Sequence, residues 1–350
     1  MQRISRVTHG VIRHRLLEEA RSMFLPMSLD AGDGLVILLL GPTQCGKSIL
    51  FHEVVHALKA AFLDNRPGAI PIAALQIETV GDGRAKPKWL GLELLKELRH
   101  PIYEHIGDLD EHDHYFPSKG RDEGTMRVAL KAALNGRYTR RVCLDEVHLL
   151  TRTKDPELRA AILESVKCTC AIDRTLIASG GYEIAYKGLF DSSHFSGRVV
   201  TIDFGNYESS RKEDVCDWVR ILKTYGQHLK LTPETLLFDE FESLMVMTNG
   251  VVGLLDKMLW RAQITAASKN SPIDRAILFS CAPPANEQAS IAKDIQKGKA
   301  AIALATGLTK RAETGDNKEV TKVNAGQGLK PFERRPDRNS AMEISIHDDD

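Results

Sequence analysis

The sequence lacks any apolar run that approaches the roughly 20 residues needed to cross a bilayer. Its longest, Leu35 to Leu40, has the length of a buried strand. The opening stretch MQRISRVTHGVIRHR is basic but has neither an apolar core nor a cleavage site, so secretory export is not expected. Charge of one sign is missing too, since 47 basic residues balance 47 acidic ones. Bulk charge therefore announces no polyanionic partner, and any DNA binding must use local Lys and Arg patches or patches gathered by oligomerisation. The six cysteines form no disulfide framework, which points to reduced thiols in a cytoplasmic protein. No internal repeat is present. What remains is 350 residues, 43% hydrophobic and 27% charged, enough for a full-sized core and one or two globular domains.

Apolar strands alternate with amphipathic helices through the first 206 residues. The strands are expected at Leu35–Leu40, Ile70–Ile77, Arg141–Leu144, Thr175–Ser179 and Val199–Ile202. The helices are expected at Val11–Met23, Lys47–Leu63, Pro87–Ile106, Glu123–Leu134, Pro156–Cys168 and Glu183–Leu189. This alternation implies crossover connections and a parallel, three-layer α/β sheet. Pro26 should close the first helix. From 207 the pattern is helical only, with segments at Arg211–Tyr225, Pro233–Met247, Gly250–Ser268 and Pro272–Phe279. The expected organisation is an arm with a helix over 1–33, a sheet domain over 34–206 and a small helical domain over 207–282. A tail over 283–350 would be helical through Glu287–Leu304 and then disordered.

The chemistry lies in two motifs. Gly41-Pro42-Thr43-Gln44-Cys45-Gly46-Lys47-Ser48 fits G-x-x-x-x-G-K-[ST] at every fixed position, between a strand and a helix. Gly41 and Gly46 permit a tight turn whose N–H groups face phosphate at the positive end of a helix. Lys47 supplies a charge for the β- and γ-phosphates, and Ser48 offers its hydroxyl to Mg²⁺. About 100 residues on, the strand Arg141–Leu144 runs into Asp145 and Glu146. Asp145 suits Mg²⁺, and Glu146 suits polarisation of an attacking water, which argues for ATP hydrolysis rather than transfer. Ser179 ends another strand, where it would sense the terminal phosphate or simply begin a Ser-Gly-Gly turn. Arg198 precedes the last strand, either as a finger for a neighbouring subunit's phosphate or as a surface arginine.

A rival signature is His52-Glu53-Val54-Val55-His56, a literal H-E-x-x-H. It falls within the helix after the phosphate loop and has no third ligand nearby, so a zinc protease is not expected.

With those residues in place, the chain resembles the TniB/TnsC family of AAA+ transposition ATPases, relatives of phage MuB and, more distantly, of IstB. The resemblance runs from about Ile12 to Ala267. It rests on Gly41–Ser48, the run Leu144-Asp-Glu-Val-His-Leu-Leu150, Ala178-Ser-Gly-Gly181, Phe195-Ser-Gly-Arg198 and Thr248-Asn-Gly-Val-Val-Gly-Leu-Leu255. Gln44 stands where many members have Gly, and the usual lid arginine has no evident counterpart, Lys257 being the nearest cation. The resemblance implies an AAA+ domain with a helical lid, and ATP-bound subunits assembled as rings or filaments on double-stranded DNA. It also implies transposase and TniQ-type target-selector partners, and disassembly on hydrolysis. DNA contacts would fall in the loop after the second strand, at Arg84, Lys86 and Lys88. Alternatives are a replication or repair loader, a signalling or antiviral-defence ATPase, and an ATP-gated scaffold. No effector domain is legible to favour defence, and Glu146 disfavours a non-hydrolysing scaffold.

Overall fold

Val36–Leu40 (β1) has no exposed face: all five residues are buried. A strand buried on both sides must lie inside a sheet covered on both faces, and the computed structural model places it there. The structure describes residues 7, 10–32, 34–78, 87–101, 103, 108–109, 115–116, 123–152, 155, 162, 166, 169–170, 173–187 and 197–305. Four more strands join β1: Ile72–Gln76 (β2), Arg141–Asp145 (β3), Thr175–Gly180 (β4) and Val199–Asp203 (β5). Their order is β2-β3-β4-β1-β5, and every pairing is parallel. A parallel sheet needs crossovers, and helices supply them: Arg15–Asp30 (α1) leads in, followed by Lys47–Ala61 (α2), Pro87–Glu97 (α3), Glu123–Gly136 (α4) and Glu183–Tyr186 (α5). The expected α/β sheet is therefore the fold, with strand ends within a residue or two of the sequence pattern. A two-residue antiparallel pair, 108–109 with 115–116, has no counterpart in that pattern. The helix expected over Pro156–Cys168 lies almost wholly outside the described residues.

Pro26 does not close α1, which runs on to Asp30. The reason is tertiary. Phe24 and Ser28 are fully buried, and the Arg141 guanidinium donates to the carbonyls of Ser28, Leu29 and Ala31 at 3.2, 3.3 and 3.0 Å. These bonds satisfy the open carbonyls of the last turn, so the helix outlasts its proline. The start is later than expected as well: residues 11–14 are not helical, and Val11, Ile12 and His14 wall the cleft described below.

The remaining helices are Lys212–Gly226 (α6), Leu236–Asp239 (α7), Phe241–Met247 (α8), Val252–Ser268 (α9), Arg275–Ser280 (α10) and Ala285–Ala305 (α11). Pro233–Met247 is thus two helices rather than one. Trp218, Tyr225, Leu244, Leu255 and Leu259 centre a second core, distinct from the one around the sheet. At the start of α9, Val251 and Leu254 belong to the sheet core and Leu255 to the helical one, so one helix serves both. Among the described residues no helix is long and apolar enough to cross a membrane.

Candidate functional site

The phosphate-binding sequence begins where β1 stops. Gly46 has φ 107°, a left-handed value natural to glycine, whereas Gln44 adopts φ 64° with a side chain. Gly41 is needed for space: a Cβ there would stand 3.0 Å from Cys45 Sγ and 3.1 Å from Phe204 Cβ. The Lys47 ammonium folds under the loop and donates to the carbonyls of Gly41 at 3.0 Å and Pro42 at 2.6 Å. Cys45 is buried beside it, and that burial pushes its thiol up. Cys45, Cys143, Cys170, Cys216 and Cys281 are all free thiols.

β3 delivers the carboxylates. Asp145 is buried, and its Oδ1 accepts from the Glu146 N–H at 2.9 Å. Its Oδ2 is buried with no hydrogen-bond partner. A buried carboxylate oxygen without a partner is costly unless a cation or ordered water meets it, so the donor set of Asp145 and Ser48 fits Mg²⁺. Glu146 sits at φ 59°, a strained position for a side-chain-bearing residue. Its Oε2 lies 3.2 Å from His148 Nδ1, near enough for an ionic contact but not aligned as a hydrogen bond. Burial lowers the His148 pKa, and the neighbouring Glu146 and Glu183 oppose that shift.

A cleft of about 630 Å³ joins these groups. Thr43 to Ile49, Glu146, His148 and Gly181 line it, and Val11, Ile12, His14 and Leu17 add a largely apolar wall. His14 lies over the Phe204 ring at 6.2 Å and 18° and bonds to the Tyr207 hydroxyl at 3.0 Å. Burial holds its pKa down at about 4. The wall is anchored by Arg15, which pairs with Asp214 and Asp217 of α6. From α9 come Val252, Gly253, Asp256 and Lys257, and from α11 comes Asp294.

The sequence-predicted residues divide into groups. Thr43 to Ser48 and Glu146 meet in the cleft, and Asp145 is buried one residue before Glu146. Ser179 is fully buried in β4, its hydroxyl has no partner, and it does not line the cleft. Gly180 and Gly181 have a packing reason: a Cβ on Gly180 would meet Ile184 Cδ1 at 2.5 Å and the His148 nitrogen at 3.0 Å. Arg198 is exposed at the opposite end of β5, where its carbonyl accepts from the Val36 N–H at the start of β1. One strand of roughly 3.3 Å per residue separates it from its own phosphate loop. Lys88 is exposed in the first turn of α3, while Arg84 and Lys86 lie outside the described residues. His52, Glu53 and His56 are all exposed on α2, and Glu53 pairs with Arg21. Among the described residues no group of three ligating side chains could hold a metal ion. His14, Glu183 and Asp294 also line the cleft, and no motif in the sequence marks them. His148 is visible in the sequence only as part of the Leu144–Leu150 run.

The sequence matches no model of a known protein family, and no curated protein matches it. Solved structures do match. The Aeropyrum pernix ORC1 protein in complex with DNA aligns over 77% of this chain and 65% of its own, at 16% identity and a TM-score of 0.52. The Walker-type ATPase PABY2304 of Pyrococcus abyssi aligns over 85% and 76%, at 15% identity and 0.43. The RuvB Holliday junction branch migration motor of Thermotoga maritima aligns over 76% and 67%, at 15% and 0.38. The chain spans less than two thirds of the ORC1 length. The likeness to ORC1 is one of fold, a five-stranded parallel sheet followed by C-terminal helices.

Proposed function

We propose that this protein is an ATP-hydrolysing AAA+ protein that assembles on double-stranded DNA and regulates transposition. The observation that carries the nucleotide part is one cleft holding Lys47, Ser48 and Glu146, with Asp145 buried beside it and an unpartnered oxygen to spare. Lys47 and the loop N–H groups bind the phosphates of ATP. Val11, Ile12, Leu17 and His14 offer the base an apolar wall. Glu146 polarises the attacking water. Mg²⁺, held by Ser48 and Asp145, would neutralise charge on the β- and γ-phosphates.

The division that accompanies this reading is an arm at 1–33, an ATPase domain at 34–206, a lid at 207–282 and a tail at 283–350. Arg198 serves a neighbouring subunit, because its strand points it away from its own loop. Ser179, on the strand beside Asp145, is the candidate sensor of the terminal phosphate, its buried hydroxyl still without a partner. Transposase subunits and a TniQ-type selector are the partners that the Leu144–Leu150 and Thr248–Leu255 motifs suggest. DNA as the polymer is supported by the DNA complex of ORC1.

Imaging the full chain with ATP, Mg²⁺ and duplex DNA tests the reading. Rings or filaments that need both ATP and DNA are expected. ATP hydrolysis without DNA-dependent assembly would contradict the transposition role and leave the ATPase standing.

A further inference from the structure

Helix α11 follows the helical layer, yet it packs on the sheet domain. Gly298 makes this possible. A Cβ there would stand 2.2 to 2.5 Å from Cγ, Cβ and Cδ1 of Tyr182. Tyr182 cannot give way, because it is fully buried and its hydroxyl donates to Asp203 at 2.6 Å. Ile295 is buried in the sheet core. One turn away, the Tyr186 hydroxyl donates to Asp294 Oδ1 at 2.9 Å, and the Lys297 ammonium lies 5.6 Å from the Tyr186 ring centre. Lys299 pairs with Glu208.

This packing brings acid into the nucleotide cleft. The lining carboxylates are Glu146, Glu183, Asp256 and Asp294, while the lining lysines are Lys47 and Lys257. Lys47 is already held by loop carbonyls. Lys257 faces Glu287, in the first turn of α11, at 3.9 Å. Thus α11 adds a carboxyl to the cleft that Glu146 and Glu183 also line, and it engages one of the two lining lysines. Burial pushes the Asp294 carboxyl up, whereas its bond from Tyr186 and the charges of Lys47 and His148 favour the ionised form. A triphosphate brings more negative charge to the cleft than a diphosphate does.

We propose that Asp294 is a selectivity residue of the cleft, disfavouring a nucleoside triphosphate relative to a diphosphate while α11 stays seated on Tyr182 and Tyr186. The proposal rests on the nucleotide reading above. Full accommodation of the terminal phosphate then requires α11 to rise, which frees Lys257 from Glu287 at the same time.

Binding of AMP-PNP and of ADP, each with Mg²⁺, to the full chain tests this by calorimetry. Asp294→Asn should tighten AMP-PNP relative to ADP by roughly tenfold, or about 1.4 kcal/mol. Gly298→Ala, which lifts α11 off Tyr182, should shift the ratio the same way. An unchanged ratio in Asp294→Asn, with wild type binding both nucleotides, overturns the proposal. Wild type binding neither nucleotide removes the nucleotide reading itself, and this proposal with it.

Discussion

Gly253 touches the phosphate loop: a Cβ built on it would stand 2.1 Å from the Gln44 carbonyl oxygen. Gln44 holds that carbonyl in place through its left-handed φ of 64°. The first turn of α9 is therefore seated directly on the loop, and only glycine fits between them. Gly253→Val should push α9 off the loop at a cost of about 1–3 kcal/mol. Nucleotide affinity should fall by roughly tenfold or more although Lys47 is untouched. Fluorescent-nucleotide titration checks this, and unchanged affinity would show that the contact does not matter to binding.

Among the described residues, Lys47 is the cation whose ammonium bonds the carbonyls of the loop. Lys47→Ala should abolish nucleotide binding while the fold survives, since the ammonium bonds only to carbonyls of the loop itself and to Cys45. Paired measurements of binding and of thermal unfolding separate the two effects. Retained nucleotide affinity would remove Lys47 from the site.

Arg198 lies at the start of β5, at the opposite end of the strands from the loop that carries Lys47. If Arg198 completes a neighbour's site, Arg198→Ala and Lys47→Ala subunits are each inactive alone. Mixed, they should recover part of the ATPase activity, because some interfaces then pair an intact loop with an intact arginine. Co-assembly must be verified in the same sample. Verified mixed assemblies with no activity would count against a role in trans.

His14 offers a pH test. Its pKa is lowered from 6.5 to about 4, chiefly by burial, so the folded state resists protonation that the unfolded chain accepts. Stability linked to His14 is fully present above about pH 6.5 and is lost as pH falls towards 4. Its size is at most roughly 3 kcal/mol, and less because one edge of the ring opens on the cleft. His14→Phe should flatten this part of the profile in chemical denaturation between those pH values. An unchanged slope would contradict the assignment.

The sheet was legible because its signal is local. Val36–Leu40 is a continuous apolar run, and the glycine-rich loop, the Asp-Glu pair and the helix after Gly46 follow from residue type and spacing. What escaped was tertiary. Arg141 is 111 positions beyond Asp30, and nothing in the sequence ties it to the end of α1; its capping bonds explain why Pro26 failed as a stop. His14 lies outside any motif, and its place depends on Phe204 and Tyr207. Asp294 falls in a segment of ordinary helical composition, and only the seat of Gly298 on Tyr182 brings it to the cleft. Glu183 likewise enters through the turn after β4. Groups delivered by one strand end could be read from sequence, but groups delivered by long-range packing could not.

The most direct test of the account is phosphate release from ATP by the full chain with Mg²⁺ and duplex DNA, comparing wild type with Glu146→Gln at saturating nucleotide. Wild type should turn over. Glu146→Gln should bind ATP normally and hydrolyse it roughly hundredfold or more slowly, the range for loss of a group that activates water. Equal rates for the two proteins would contradict the role given to Glu146, and with it the reading of this cleft as an ATPase site.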